Sequence, residues 1–165
     1  MDFSSMIWSG LAFGFTSTLY LLVIMIATNP RVWGYADYPD RIKKIIPPQT
    51  KKEKLLALLV GLPWILFVLL FPIYSTLSLK TNLGGNITFV MAFLNIFVLY
   101  AFANLGDVIL LDWLIVSKIT PKFVIISGTN KNDYKDFSHH FKAHLRALLP
   151  TIVFQAAVAA FIAFT

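Results

Sequence analysis

Four long apolar runs constrain this 165-residue chain more than any other feature. A helix needs about 20 apolar residues to cross the hydrocarbon core of a bilayer, and each run is at least that long. Only 13% of the residues are charged, whereas soluble domains carry about 25%. We therefore predict one domain, 1–165, that is an all-α, polytopic membrane protein with four transmembrane helices in a bundle. The predicted spans are residues 6–27, 55–79, 87–117 and 141–164.

The basic residues predict how the helices are oriented. Of the 14 Lys and Arg, seven lie between Arg31 and Lys54 and six between Lys118 and Arg146. Both groups fall in segments that connect predicted spans, and such residues favour cytoplasmic connections. We expect two cytoplasmic connecting segments, both termini outside, and a location in the cell membrane. The same side chains predict attraction to anionic headgroups at the cytoplasmic face rather than nucleic-acid binding.

Two acidic residues, Asp107 and Asp112, lie within the third apolar run. A charged side chain at the bilayer centre costs about 2.5–3.5 kcal/mol on insertion scales, so such residues commonly pair or mark a functional site. On an α-helix the two would lie about 140° apart. They share one small site only if Gly106 or a π-bulge distorts the helix. Asn104 lies between them in angle, and Tyr100 lies over the same face.

The histidines of the chain all lie in the segment that leads into the fourth span. His140 and His144 are spaced i, i+4 and would share one face of a helix. The predicted topology places them at the depth of Asp107 and Asp112. Two imidazoles and a carboxylate can bind zinc or non-haem iron, so His140, His144 and Asp112 are candidate metal ligands. Buried polar pairing and a proton or substrate site are the open alternatives.

The first connecting segment carries signals for local structure. Pro47 and Pro48 predict an extended stretch, and Thr50 with Glu53 predicts a capping box at the start of the second helix. Its aromatic residues suit the headgroup layer, where one edge of a ring is apolar and the other wet. These residues are Trp33, Tyr35 and Tyr38.

The second connecting segment and the last span add two further expectations. Residues 122–126 have β character and are followed by turn residues at 127–130. The last span contains two small-xxx-small pairs, which let helices approach closely. They predict packing within the molecule, with a homo-oligomer through the Ala-rich helix as the alternative. The pairs are Ala156 with Ala160 and Ala159 with Ala163.

Four sequence blocks together carry a family resemblance. They are Asn29-Pro30-Arg31-Val32-Trp33 with Asp37-Tyr38-Pro39, Pro47-Pro48-Gln49-Thr50-Lys51-Lys52-Glu53-Lys54, Asp107-Val108-Ile109-Leu110-Leu111-Asp112-Trp113-Leu114, and Ser127-Gly128-Thr129 through His140. With these blocks the chain resembles a family of small, functionally uncharacterised prokaryotic four-helix integral membrane proteins. That family has Pro-Gly-Thr in place of Ser127-Gly128-Thr129 and one histidine, matching His140, without partners for His139 and His144. The resemblance implies the fold and no activity.

Composition excludes several classes of small membrane protein. The chain has no Cys, which excludes thiol-quinone oxidoreductases and thiolate metal sites. Small multidrug exporters use a glutamate in the first helix, whereas Glu53 is the only glutamate here. Three histidines are too few for the di-iron hydroxylases and desaturases. A phosphate-binding P-loop is also absent.

Three functions stay open on the sequence. The first is a small helical bundle that binds a lipid-like ligand or a partner protein at its cytoplasmic side. The second is a membrane enzyme, metal-dependent or not, that acts on an amphiphilic substrate through His140, Asp107 and Asp112. The third is a small proton-coupled transporter that uses Asp107. The residues expected to contact a ligand are Tyr100, Asn104, Asp107, Asp112, Tyr134 and His140.

Overall fold

The computed structural model describes residues 3–165, and every regular element within this range is helical. The elements in chain order are α1 (Phe3–Ala27), α2 (Pro30–Trp33), α3 (Asp40–Ile45), α4 (Lys51–Asn82), α5 (Phe89–Leu105), a π-helix (Gly106–Ile119), a 3-10 turn (Lys131–Tyr134) and α6 (Phe137–Phe164). Four helical stretches are long and apolar enough to cross a membrane, with the π-helix continuing α5 as one of them. The predicted helical class and the number of apolar spans are confirmed.

Three of the long helices begin before the predicted spans, and for two of them, α4 and α6, the local sequence explains why. Thr50 caps α4, since its hydroxyl accepts from the Glu53 N–H at 3.2 Å while the Glu53 carboxylate accepts from the Thr50 N–H at 2.7 Å. The predicted capping box is therefore confirmed, and α4 begins at Lys51. The helix α6 begins at Phe137, and the residues before the predicted span, 137–140, form its first turn.

The helix α5 lies at the centre of the packing. It contacts α1, α4 and α6, whereas α4 and α6 contact each other only sparsely. Small residues of α1 permit the close approach to α5, since a Cβ on Gly14 would stand 2.7 Å from the carbonyl carbon of Phe102. On the other side, Ala159 of α6 is fully buried against Ala92 and Ile96. This Ala-rich contact lies within the molecule, and the predicted homo-oligomer stays a prediction.

A proline in α4 creates a polar tie between α4 and α5. Pro72 has no N–H, so the carbonyl of Val68 lacks its usual helical donor. The hydroxyl of Tyr100 donates to that carbonyl at 2.8 Å. A freed backbone acceptor in an apolar environment is costly unless it is satisfied. Tyr100 therefore joins the two helices beside the site described below.

The two basic segments, 28–50 and 120–136, fold together into a structure that we call the cap. Tyr38, which is 1% exposed, donates its hydroxyl to the Val124 carbonyl at 3.1 Å. Its ring meets that of Tyr134 edge-on, with 5.2 Å between centroids. Burial raises the pKa of Tyr38 above its ordinary value, so the phenol remains a neutral donor. Tyr38 is thus packed inside the cap, so its ring lacks the wet edge that we expected of a residue in the headgroup layer.

The β character of residues 122–126 does not produce a strand. These residues form turns, and no strand occurs anywhere in residues 3–165 to pair with them. Instead Val124 and Ile126 are buried in the cap, at 0% and 2% exposure. The apolar residues there serve packing, because tertiary contacts override a weak strand propensity.

A partly buried ion pair between Arg31 and Glu53 attaches the cap to the start of α4. The guanidinium of Arg31 donates to both carboxylate oxygens of Glu53, at 2.6 and 3.0 Å. It also donates to the carbonyls of Pro47 and Pro48, each at 3.0 Å. Such forked, charge-assisted hydrogen bonds are among the stronger polar contacts in proteins. They fix the path of the chain between the two proline residues and α4.

Candidate functional site

The continuation of α5 is a π-helix over 14 residues, Gly106–Ile119. Its last bond runs from the Thr120 N–H to the Ile115 carbonyl at 2.8 Å, five residues back. Hydrogen bonds in this i→i+5 pattern place residues five apart on one face. Asp107 and Asp112 are five apart, so the distortion that the sequence required for a shared site is present.

Close helix packing accompanies the start of the π-helix. Gly106 lies against Thr18 of α1, and a Cβ on Gly106 would fall on the Thr18 hydroxyl. A glycine is therefore needed here for the approach of α1. The π-helix ends at Thr120, whose φ of 47° is left-handed and whose hydroxyl donates to the Val116 carbonyl at 2.8 Å.

Asp112 connects the π-helix with two histidines of α6. One carboxylate oxygen, Oδ2, lies 2.9 Å from Nε2 of His144, and the other, Oδ1, lies 3.4 Å from Nδ1 of His140. His140 is 7% exposed. The spacing of the two histidines does place them on one face of α6, as the sequence predicted. A single carboxylate thereby meets both rings.

The partner of the second ring nitrogen indicates the tautomer of His144. The amide nitrogen of Asn104 lies 3.2 Å from Nδ1 of His144. An amide nitrogen can only donate, so Nδ1 accepts and carries no proton. In this arrangement Nε2 carries a proton that points to Asp112. His144 lies in the middle of this network, although the family resemblance singled out His140.

Asp107 differs from Asp112 in having no close donor. Its nearest ionisable partner is His144, with 3.9 Å between Oδ2 and Nε2. Within residues 3–165, no Lys or Arg pairs with Asp107 or Asp112, because the ion pairs of Arg31 and Arg41 involve other carboxylates. The carboxylate of Asp107 is therefore available to a bound molecule.

A cavity of about 420 Å³ extends from this polar cluster between the four long helices. We call it the interhelical cavity. Asn104, Asp107 and His144 form its polar end, and its remaining wall is mostly apolar. The other lining residues are Ser17, Trp64, Val68, Phe97, Tyr100, Ala101, Ala103, Leu105, Ala147, Leu148, Thr151, Ile152 and Gln155. Such a volume is typical of small-molecule sites.

The wall contains two further polar features away from the aspartates. The indole N–H of Trp64 donates to the Ser17 hydroxyl at 2.8 Å, which ties α4 to α1. Gln155 is only 3% exposed, and its Oε1 has no hydrogen-bond partner among the described residues. Gln155 is eleven residues after His144, so along α6 it lies about 16 Å further into the helices.

A second cavity, of about 360 Å³, adjoins the first on the side where α4 and α6 separate. Trp64, Val68, Tyr100 and Thr151 line both cavities, so the two spaces adjoin each other at these side chains. The remaining residues of this cleft are Ile65, Leu69, Pro150 and Phe154. The cleft lies at the surface between α4 and α6, beside the interhelical cavity.

The structure brings together most of the predicted site residues. Tyr100, Asn104 and Asp107 line the interhelical cavity, and His144 joins them there. Asp112 and His140 do not line the cavity. Asp112 contacts His144 on the side of that ring away from the cavity, and His140 contacts Asp112. Tyr134, which we expected to contact a ligand, is instead buried in the cap and does not line the cavity. Its buried hydroxyl in the cap accepts from the Ile126 N–H at 2.9 Å and lies 2.7 Å from the Thr129 hydroxyl.

Sequence reasoning missed four polar residues of the cavity, namely Ser17, Trp64, Thr151 and Gln155. Gln155 had the clearest signal, since it is the only amide side chain in the last span. Ser17 and Trp64 carried no such signal, because a hydroxyl and an indole are ordinary in apolar helices.

The residues present do not group around a common metal position. Among the described residues, no set of three or more His, Cys, Asp or Glu side chains is disposed to hold a metal ion. Asp112 is instead at hydrogen-bond distance from His144. The predicted zinc or iron site at His140, His144 and Asp112 gains no support from this geometry.

Comparison with known proteins adds no relative. No protein-family model, curated protein or solved structure matches the chain. The family resemblance of the four sequence blocks stays a prediction, and the site is interpreted from its own geometry.

Proposed function

We propose that this chain is a multi-pass protein of the cell membrane that binds a lipid-like molecule with one hydrocarbon chain. The polar group of that molecule lies at Asp107, and its chain lies along the interhelical cavity. The observation that carries this proposal is the lining of that cavity, which has a mostly apolar wall and its ionisable side chains at one end. An amphiphile has the same division, and pockets between helices are common ligand sites.

The proposed orientation places the cap in the cytoplasm and both termini outside. The cap and its flanking helix ends carry thirteen of the 14 Lys and Arg, and only Lys80 lies at the opposite end. Basic residues close to spans favour the cytoplasmic side. Asp107 then lies toward the cytoplasmic leaflet, at the level where lipid headgroups are found, and the polar end of the cavity matches the polar layer of the bilayer.

The proposed route of entry is the cleft between α4 and α6. Both helices present long apolar side chains there, including Ile65 and Phe154, which are exposed by 43% and 41%. In a bilayer this surface faces lipid, so an amphiphile reaches the cavity without leaving the membrane. The chain enters through an apolar opening, and the headgroup stays near its own layer.

A spin-labelled probe tests the proposal. The protein is placed in lipid nanodiscs with a long-chain alcohol that carries a nitroxide on its chain, and the immobilised fraction is measured by electron paramagnetic resonance. We expect a saturable immobilised component that an unlabelled alcohol displaces. Ala147→Trp fills the cavity and is expected to remove this component.

The matched control lies on the same helix. Val153 is 60% exposed and does not line either cavity, so Val153→Trp is expected to leave the immobilised fraction unchanged. Equal immobilisation in the Ala147→Trp and Val153→Trp proteins would show that the probe binds the outer surface, and so would contradict a site between the helices.

The second candidate function is an enzyme that acts on an amphiphile. It is favoured by the 2.9 Å contact between Asp112 and His144, because a carboxylate that orients an imidazole is a common arrangement for general acid–base catalysis. Mass spectrometry of lipids from expressing cells provides the test. An enzyme predicts a lipid change with wild type that His144→Gln removes and His139→Gln retains. Identical lipid profiles in all three would exclude this candidate.

A further inference from the structure

Two hydrogen-bond acceptors of the interhelical cavity receive no hydrogen bond from the described residues. This limits the chemistry of the molecule that the cavity can bind. Asp107 receives no hydrogen bond from any described residue, and its nearest ionisable neighbour is His144 at 3.9 Å. His144 accepts at Nδ1 from Asn104 and directs its Nε2 proton to Asp112. The ring is thus already engaged by Asn104 and Asp112, and its Nε2 lies too far from Asp107 for a hydrogen bond.

A second unsatisfied acceptor lies deeper along the same cavity. Gln155 is 97% buried, lines the cavity, and has no partner for its Oε1 within the described part of the chain. A buried polar atom without a partner is costly, and natural structures rarely retain one unless a water or a ligand satisfies it. This amide is independent of the acidic pair, and it too requires a donor.

We propose that the cavity takes a linear alkylamine whose ammonium group binds Asp107 and which carries a second donor, such as a terminal hydroxyl, at Gln155. This inference rests on the proposed function and names the class of its ligand. His144, which lies beside Asp107 at the polar end, and Gln155 are about 16 Å apart along α6, and the wall between them is mostly apolar. A hydrocarbon chain with a donor at each end fits that arrangement.

The same groups disfavour an anionic headgroup. A phosphate or carboxylate at the polar end would face Asp107, with Asp112 behind His144, and no Lys or Arg of residues 3–165 pairs with either aspartate. Like charges this close repel strongly in a region of low dielectric constant. An ammonium group instead forms a charge-assisted hydrogen bond with a carboxylate. Charge selectivity is therefore the property that separates this ligand class from ordinary anionic lipids.

Displacement of the nitroxide-labelled alcohol measures this selectivity. The unlabelled competitors have equal chain length and are n-dodecylamine, n-dodecanol, n-dodecyl phosphate and ω-hydroxydodecylamine. We expect the amine to displace the probe at a concentration about tenfold below that of the alcohol, and the phosphate to be weaker still. The ω-hydroxyl should improve the amine by a further few-fold.

Two variants assign the two contacts. Asp107→Asn is expected to remove the preference for amine over alcohol, while the alcohol still displaces the probe. Gln155→Leu, or Gln155→Met if the first variant folds poorly, is expected to remove only the gain from the ω-hydroxyl. Thermal unfolding of each variant verifies that it is folded before the displacement is measured.

The outcomes separate this inference from the proposed function. If no competitor displaces the probe from wild type, the cavity does not bind amphiphiles and both proposals fail. If the phosphate competes as well as the amine, or if Asp107→Asn retains the preference for amine, the cavity binds amphiphiles but the ammonium assignment is overturned. If the ω-hydroxyl gives no gain, the assignment of a donor to Gln155 is overturned.

Discussion

The two aspartates of the third apolar helix have different roles, although the sequence presents them as a pair. Asp112 lies between two imidazoles and accepts a hydrogen bond from one of them. Asp107 lies at the polar end of the interhelical cavity and accepts none from the described residues. Asp112 therefore acts mainly within the protein, and Asp107 is the carboxylate that meets a ligand.

This division predicts different effects of two conservative substitutions on the free energy of unfolding. Asp112→Asn places an amide between His140 and His144 and weakens a charge-assisted contact, so we expect the free energy of unfolding to fall by about 1–3 kcal/mol. Asp107→Asn breaks no hydrogen bond and is expected to leave the unfolding free energy unchanged or slightly higher. Thermal unfolding of detergent-solubilised protein measures both. A larger loss for Asp107→Asn would reverse these assignments.

At the scale of the helices, the π-helix determines the site. On an α-helix Asp107 and Asp112 would point about 140° apart, and only the i→i+5 pattern places both on the face toward α6. The sequence identified the residues and the condition for their meeting, but it did not predict that the distortion extends over 14 residues. The choice between α and π hydrogen bonding depends on how α1 and α6 pack against this segment, and no local pattern records that.

The contact between Gly106 and Thr18 provides a test of this packing. Gly106→Ala places a methyl group on the Thr18 hydroxyl, and overpacking of this kind costs about 1–3 kcal/mol. Gly61→Ala is the matched control, because no atom lies within 4 Å of its added Cβ. We expect that control to be neutral or stabilising, by up to about 1 kcal/mol.

A second substitution distinguishes a clash from a general effect of alanine. Thr18→Ala removes the hydroxyl, which is buried and has no hydrogen-bond partner among the described residues. The double variant Gly106→Ala/Thr18→Ala should therefore recover most of the lost stability, as measured by thermal unfolding. A loss that is the same with and without Thr18 would show that the two residues are not in contact.

At the scale of the whole molecule, the apolar runs predicted the four long helices, because length and hydropathy alone determine which segments suit a bilayer. They did not predict the cap. Tyr38, Val124 and Tyr134 come from two segments that are far apart in the sequence, and their burial depends on contacts that no local pattern encodes. The cavity was unpredictable for the same reason, since it results from the separation of α4 and α6.

The absence of cysteine makes the proposed orientation simple to measure. Asn132→Cys introduces a thiol at an exposed position of the cap, and Asn86→Cys introduces one at the opposite end. With the cap in the cytoplasm, a membrane-impermeant maleimide applied to intact cells should label only Asn86→Cys, and permeabilisation should expose Asn132→Cys. The reverse pattern would show that the cap faces outward, contrary to the distribution of basic residues.

Photolabelling tests the central claim, a ligand within the interhelical cavity, most directly. An n-dodecylamine that carries a diazirine near the end of its chain is equilibrated with the protein in nanodiscs and irradiated, and the modified residues are identified by mass spectrometry. We predict modification of cavity residues such as Val68, Thr151 and Ile152, which excess unlabelled n-dodecylamine suppresses. Modification that is spread over outward-facing residues such as Val153 and Phe161, and that excess amine does not reduce, would contradict the account.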